Sequence, residues 1–213
     1  MKNSLVKFCA FILLFCFVLP NIGCKNELDL SAYVVELRYD VFSGENQTYT
    51  IKGGLGFNQK NQNVLTLRLV GKYDQNVSYN AQIEFNGEKY TQTFKYNPIS
   101  SNLTVSFDIP EFNLKQFNVA IITGGESSEI TLNSTVPQNA MDYKTALKHL
   151  LISQPDLINS YFDSDGNFTA SIIARVIVKN DHPYWYVGLK KDNLKALLVD
   201  GITGEILAVR EVF

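Results

Sequence analysis

The sequence predicts a mainly β protein that ends in a small α+β domain. Between residues 32 and 136, short runs of β-prone residues alternate between apolar and polar positions, as half-buried strands do. The period changes at residues 142–153, where apolar residues recur at helical spacing, and four more strand-like runs follow. We therefore predict a β-sandwich over residues 32–136 and a helix with an antiparallel sheet over residues 137–213.

The N-terminus has the three-part order of a secretory signal. Lys2 and Lys7 come before an apolar run, residues 8–19, and Pro20 follows it. The run falls short of the roughly 20 apolar residues that cross a bilayer as a helix. We expect residues 1–23 to be a signal peptide that is removed, and the alternative is an uncleaved anchor helix.

Residues 21–24, Asn-Ile-Gly-Cys, resemble the lipobox of bacterial lipoproteins, where a precursor is cut before a cysteine that carries diacylglycerol. The resemblance implies cleavage after Gly23 and lipid attachment at Cys24. Asn21 departs from it, since the family usually has Leu at that position. Residues 24–31 are then expected to be a lipidated tether, which holds an exported, extracytoplasmic protein at the bacterial cell membrane surface.

The cysteine count supports export of the protein and lipid attachment at Cys24. Of the three cysteines, Cys9 and Cys16 lie inside the predicted signal. An exported chain with one free thiol would expose a reactive group, and lipidation of Cys24 would protect it. The mature chain cannot form an internal disulfide, so its stability must come from packing.

A second cellular location, secretion from a eukaryotic cell, stays open. Five Asn-X-Ser/Thr triplets would be glycosylation sites in a eukaryotic secreted protein, although a chain rich in Asn also acquires such triplets by composition. They begin at Asn46, Asn76, Asn102, Asn133 and Asn167.

The region 32–136 contains about eight strand-like runs separated by turn residues. The clearest local signal is Asn86-Gly87, which separates two alternating runs as a two-residue hairpin turn does. This spacing fits an immunoglobulin-like or fibronectin-like β-sandwich. The predicted strands are residues 33–42, 47–52, 63–73, the two arms of 78–96, 103–109, 117–123 and 129–136.

The region 137–213 begins with a helix. Asp142 can cap it, and Pro155 is expected to start a second turn after it. Its apolar positions are Ala146, Leu147, Leu150 and Leu151. The predicted strands after it are residues 168–179, 183–190, 194–200 and 205–213.

This helix, with the segment Tyr-Trp-Tyr-Val-Gly-Leu-Lys (184–190) and the ending Val-Asp-Gly-Ile-Thr-Gly-Glu-Ile (199–206), resembles the PepSY domain. That family is a small extracytoplasmic module of bacterial lipoproteins and of the propeptides of secreted metallopeptidases. The resemblance covers residues 141–213 and departs at Gly201, where the family more often has Ala. It implies association with peptidases at the cell surface, including their inhibition.

The ending of this segment is interpreted as a structural turn motif. Asp200 can accept backbone N–H groups within the turn, Thr203 favours the approach to it, and Gly204 supplies a positive φ. We expect neither Asp200 nor Glu205 to be catalytic.

The sequence offers little for catalysis. Its two histidines, His149 and His182, have no recognisable nucleophile motif beside them, and it contains no HExxH, paired CxxC or glycine-rich phosphate loop. We therefore predict no catalytic residue and no cofactor.

The acidic segment after the helix invites a calcium interpretation, because Asp163, Asp165 and Asn167 are oxygen ligands at alternate positions. The EF-hand spacing fails, since Gly166 comes two residues early and Ala174 stands where the bidentate Glu belongs. We predict a polar turn and no metal site.

Tyr184, Trp185 and Tyr186 form the candidate binding surface. In an alternating strand the two tyrosines share one face and the tryptophan takes the other. Aromatic side chains on an open face are good recognition anchors, and the alternative is that all three pack inside the protein.

The net charge of the chain argues against nucleic acid as a partner. Nineteen Lys and Arg residues against 21 Asp and Glu residues give a formal net charge of −2, so no basic excess favours nucleic acid. We predict a non-enzymatic envelope lipoprotein that acts as an extracytoplasmic binding or regulatory module. Its expected partners are the membrane, through the lipid, and a peptidase or another envelope protein. The alternatives are a structural or assembly component of the envelope, or carbohydrate binding by the β-sandwich.

Overall fold

The structure is a computed structural model and describes residues 28–58, 60, 62–71, 73, 74, 76–98, 101–110 and 115–212. The predicted signal peptide, Gly23 and Cys24 lie outside these residues. Within the described residues, thirteen strands join in one hydrogen-bonded network, and every pair but one is antiparallel. The prediction of a mainly β protein is confirmed. Among the described helices, none is long and apolar enough to cross a membrane.

The strands follow one another along the chain with few helices between them. They are β1 (Val34–Glu45), β2 (Thr50–Phe57), β3 (Asn63–Val70), β4 (Asn80–Phe85), β5 (Glu88–Thr93), β6 (Lys95–Asn97), β7 (Asn102–Asp108), β8 (Gln116–Thr123), β9 (Glu126–Ser134), β10 (Ser171–Lys179), β11 (His182–Lys190), β12 (Leu194–Asp200) and β13 (Ile206–Val212). The helices are a 3-10 helix (Leu30–Tyr33), α1 (Tyr143–Ser153) and α2 (Pro155–Asn159).

The first nine strands form two layers around one core. One layer has the order β1-β2-β3-β7-β6, and the other has β9-β8-β4-β5; β1 pairs with β9 where the layers meet. The alternating apolar residues of both layers point into a common cluster, in which Ile51, Leu65 and Val119 are fully buried. The hairpin at Asn86-Gly87 joins β4 to β5 as predicted, and both turn residues have positive φ.

The last four strands form an antiparallel meander, and α1 covers one of its faces. Asp142 caps the helix, because its Oδ1 accepts the backbone N–H of Thr145 at 2.7 Å. Leu147 and Leu150 of α1 pack with Trp185 and Val187 of β11 in a second core. The apolar face of the helix and the apolar face of the sheet thus pack together in one layer.

Strand β1 belongs to both halves of the molecule. Its first residues pair with β10 in parallel, with Arg38 opposite Arg175, and Leu37 packs in the second core. Its last residues pair with β2 and β9, and Phe42 packs in the first core. The predicted boundary at residue 137 falls in the loop between β9 and α1, while the sheet runs on from one half to the other.

Two details differ from the sequence prediction. Strict alternation along β1 would place Asp40 on one polar face with Glu36 and Arg38. A register shift between Arg38 and Asp40 instead turns the Asp40 side chain inward, where it is 5% exposed. The described end of the predicted tether, residues 28–31 of 24–31, packs against the fold. Leu30 is 3% exposed, and the 3-10 helix that it begins is capped by Asp29, whose carboxylate accepts the N–H of Ser31.

Candidate functional site

The three aromatic residues of the candidate binding surface lie on opposite faces of β11. Trp185 is 2% exposed, and its indole N–H donates to the Met141 carbonyl at 3.0 Å, so it fixes the loop before α1. Tyr184 and Tyr186 are half-buried on the face that α1 leaves open. Only the two tyrosines can therefore contribute to recognition.

The open face of the C-terminal sheet continues across β1. Pairing aligns Leu198, Tyr186, Arg175 and Arg38 side by side on β12, β11, β10 and β1. Arg175 is neutralised by Glu36, whose Oε1 accepts from both Nε and an NH2 group at 2.9 and 2.7 Å. This face therefore passes from aromatic and apolar residues to cationic ones.

The turn after β12 is held by a carboxylate. Asp200 Oδ1 accepts the backbone N–H groups of Ile202 and Thr203, both at 2.8 Å, and its Oδ2 lies 2.8 Å from His182 Nε2. The bonds from Thr203 and Ile202 outweigh the effect of burial and, with the bond to His182, lower the pKa of Asp200 to about 2. The carboxylate is ionised at neutral pH and its lone pairs are engaged in the turn.

Gly204 lets this turn approach α1. Its φ is +78°, and a Cβ at this position would lie 2.4 Å from the ring of His149. The His149 ring therefore packs on the turn. The only hydrogen bond of the His182 ring in the described part of the chain is to Asp200, and this ring also contacts Tyr184 at 4.8 Å between centroids. His149 thus packs on the turn, and His182, whose side chain is 36% exposed, bonds to the carboxylate that holds it.

The predicted polar turn after α2 is closed by Asp163. Its Oδ1 accepts the backbone N–H groups of Asp165 and Asn167 at 2.9 and 2.8 Å, and these bonds, with that from the Asn167 side chain, lower the pKa of Asp163. Gly166 has φ +81° between them. No group of three or more His, Cys, Asp or Glu residues among the described residues could hold a metal ion.

At least three of the five Asn-X-Ser/Thr triplets use their amide nitrogens within the fold. Asn46 Nδ2 donates to Ser128 Oγ at 2.8 Å, Asn76 Nδ2 donates to Asp74 Oδ1 at 3.2 Å, and Asn167 Nδ2 donates to Asp163 Oδ2 at 3.3 Å. A glycan on any of these nitrogens would have to displace that bond.

The sheet has an apolar edge at β13. In the described residues this strand pairs only with β12, and Leu207 and Val209 are 44% and 45% exposed. Strand β5, which forms another edge, has the polar sequence Glu-Lys-Tyr-Thr-Gln-Thr. An exposed apolar edge is a template for an added strand, whereas a polar edge resists one.

A cleft of about 630 Å³ lies between the two cores. Tyr39 and Lys115 line it from the first half, and Tyr143 and Trp185 line it from the second. At one wall the buried carboxylate of Asp40 accepts from Lys115 Nζ and from the Ser134 hydroxyl. These two bonds tie β1 to β9 and to the residue before β8.

Sequence reasoning missed a group of three cations, which we call the cation patch: Arg38, Lys52 and Arg68. They lie on β1, β2 and β3 and line a concavity of about 200 Å³. Alternation alone places each of them on a polar face of its strand. Their convergence depends on the order β1-β2-β3 within the sheet, which no local pattern reveals.

No protein-family model, curated protein or solved structure matches this chain.

Proposed function

We propose that this chain is a non-enzymatic lipoprotein of the bacterial cell envelope, whose C-terminal half binds a surface or secreted peptidase. The finer fold assignments belong to the same proposal. The packing of α1 on one face of β10 to β13 supports a PepSY-like unit, and the two layers around one core support an immunoglobulin-like or fibronectin-like sandwich.

The observation that carries this function is the apolar edge strand β13. A partner segment in extended conformation can add to this edge through backbone hydrogen bonds, and its side chains can contact Leu207 and Val209. An inhibitor that binds in this way contributes affinity through the main chain and offers no bond for cleavage. The half-buried tyrosines on the open face of β11 form a second, separate candidate surface, two strands away from this edge.

The surroundings of the two histidines support a non-enzymatic role. His149 packs against Gly204, and His182 bonds to a carboxylate that itself holds a turn. Among the described residues, neither ring has a hydrogen bond to a hydroxyl or thiol that it could activate as a nucleophile.

The test is peptidase inhibition by the lipidated full-length protein. The probe is a secreted bacterial metallopeptidase, and the variant carries Leu207→Lys with Val209→Lys, since lysines on an edge strand oppose strand addition. The matched control carries Val77→Lys with Tyr96→Lys, two residues of similar exposure elsewhere. We expect wild type and control to inhibit and the β13 variant to lose inhibition.

Equal inhibition by the β13 variant would contradict this binding mode. Unchanged peptidase activity, together with co-purification of other envelope proteins, would instead favour a structural or assembly role. Lipid attachment and membrane location are tested separately by intact mass and membrane partition. We expect the wild type to carry lipid mass and Cys24→Ala to lack it.

A further inference from the structure

The cation patch has no ion-pair partner in the part of the chain that the structure describes. Among the described residues, Arg38, Lys52 and Arg68 have neither an ion pair nor a side-chain hydrogen bond. Glu36 is the acidic residue whose charge favours Arg38, and that carboxylate is bound to Arg175. Three positive charges therefore lie together without an ion pair among the described residues, and Asp181 is a carboxylate that shares the adjoining concavity of about 440 Å³ with all three.

Strand pairing places these charges where they repel. Lys52 lies directly opposite Arg68 in the β2–β3 ladder, and Arg38 lies opposite Arg175 in the β1–β10 ladder. Like charges in directly opposed positions destabilise a sheet. Burial, and then the charges of Arg175 and Arg68, lower the pKa of Arg38. The fold tolerates this repulsion, and a bound anion would remove it.

The concavity has the lining of an anion site. Its walls carry the three cations and the hydroxyls of Thr66 and Thr104, and among the residues that line it there is no carboxylate. Glycine shapes its floor, because a Cβ on Gly54 would lie 2.8 Å from Arg38 Nε. The Arg38 side chain thus lies across β2 at a position where any larger residue would displace it.

The guanidinium and ammonium groups of the cation patch determine which kind of ligand it can bind. A guanidinium group donates two parallel N–H groups to a phosphate or a carboxylate, and a lysine adds a point charge. Three cations match a dianion better than a monoanion. We propose that the cation patch binds a phosphate group, either of a free phosphorylated molecule or of a lipid headgroup. This site lies on β1 to β3, apart from the β13 edge, so it does not depend on the proposed function.

The experiment measures phosphate binding to the full-length protein by calorimetry and by amide chemical shifts. Inorganic phosphate is the probe, and acetate at equal ionic strength is the monoanion control. We expect phosphate to bind more tightly than acetate and Arg68→Gln to weaken phosphate binding by about tenfold or more, the usual effect of one charge-assisted hydrogen bond.

Gly54→Ala provides a second variant that keeps every charge. The added methyl displaces only the flexible end of Arg38, so we expect the fold to remain and phosphate binding to weaken. Arg210→Gln and Lys89→Gln are controls, since they remove exposed cations from β13 and β5. Both should bind phosphate as the wild type does.

Two arms distinguish the source of the phosphate. Phosphatidylcholine vesicles with and without phosphatidic acid are offered to Cys24→Ala and to Cys24→Ala with Arg68→Gln, so that no lipid at Cys24 holds either protein on the vesicles. Retention on the phosphatidic acid vesicles that Arg68→Gln loses identifies a headgroup, and phosphate binding without such retention identifies a free ligand. The proposal is overturned if phosphate leaves the wild-type shifts at the positions seen in chloride, or if Arg68→Gln and the controls bind phosphate equally.

Discussion

Asp40 and Arg38 are two residues apart on β1, and their surroundings are opposite. The Asp40 carboxylate is 5% exposed and accepts from Lys115 Nζ at 2.7 Å and from the Ser134 hydroxyl at 2.5 Å. Arg38 is half-buried, faces two other arginines and has no acceptor among the described residues. The first charge is satisfied by the chain itself, and the second is not.

The comparison of Asp40 with Arg38 distinguishes a charge that stabilises the fold from a charge that is available to bind a ligand. A buried charge with complete hydrogen bonds holds two elements together, as Asp40 does for β1 and β9. A group of like charges without partners lowers the stability of the fold and is retained where something outside the chain neutralises it. Removing a partner of Asp40 should therefore lower the stability of the fold, and removing a charge from the cation patch should raise it.

The largest effect is expected from Lys115→Met, which leaves the Asp40 carboxylate buried without its cation. We expect a loss of about 3–5 kcal/mol in the free energy of unfolding at neutral pH. Urea denaturation of the wild type and of Lys115→Met measures it.

Asp40→Asn is the companion variant. It leaves Lys115, whose side chain is 68% exposed and can be hydrated, so the loss should be smaller than for Lys115→Met. A larger loss in Asp40→Asn would contradict the assignment of the buried carboxylate as the group that requires a partner.

A smaller effect is expected at the turn of Asp200. Its folded-state pKa of about 2 lies below the unfolded value of 3.8, so the ionised carboxylate stabilises the fold above the unfolded value and this stability is lost as pH falls toward 2. The contribution at neutral pH is about 2 kcal/mol. Asp200→Asn should lose this amount and lack that part of the acid dependence of unfolding.

Asp192→Asn, which changes an exposed carboxylate, is the control for Asp200→Asn. An Asp200→Asn protein with the acid dependence of the wild type would show that the turn does not hold its carboxylate as described.

The smallest effect has the opposite sign. Arg68→Gln removes one charge from the cation patch and should raise the free energy of unfolding by about 0.2–1 kcal/mol in dilute chloride. Salt screens the repulsion, so the gain should disappear at high ionic strength. Arg210→Gln should show no such gain, and a loss of stability in Arg68→Gln would assign a structural role to that arginine.

Local patterns predicted much of the fold. The hairpin at Asn86-Gly87, the Asp142 cap and the boundaries of α1 follow from turn chemistry and helical spacing, which act between neighbouring residues. Strand β6 was not predicted as a separate strand, because the pattern of the 78–96 hairpin continues through Lys95 and Tyr96. The parallel pairing of β1 with β10 was missed because the choice of partner joins residues over a hundred positions apart.

The candidate site was less predictable for the same reason. The face opposite α1 could be assigned to Tyr184 and Tyr186 by alternation, but their exposure depends on the helix that covers the other face. The cation patch needs three strands in one order, and Asp40 needs a register shift that turns it inward. Period and composition describe single strands and carry no information on either.

The most direct test compares wild type and Arg68→Gln in two buffers of equal ionic strength, one with chloride and one with phosphate. A ligand that binds the folded state raises its stability, and only the wild type has the complete patch. We predict that Arg68→Gln unfolds at higher denaturant than the wild type in chloride and at lower denaturant in phosphate. The same order in both buffers would contradict the account.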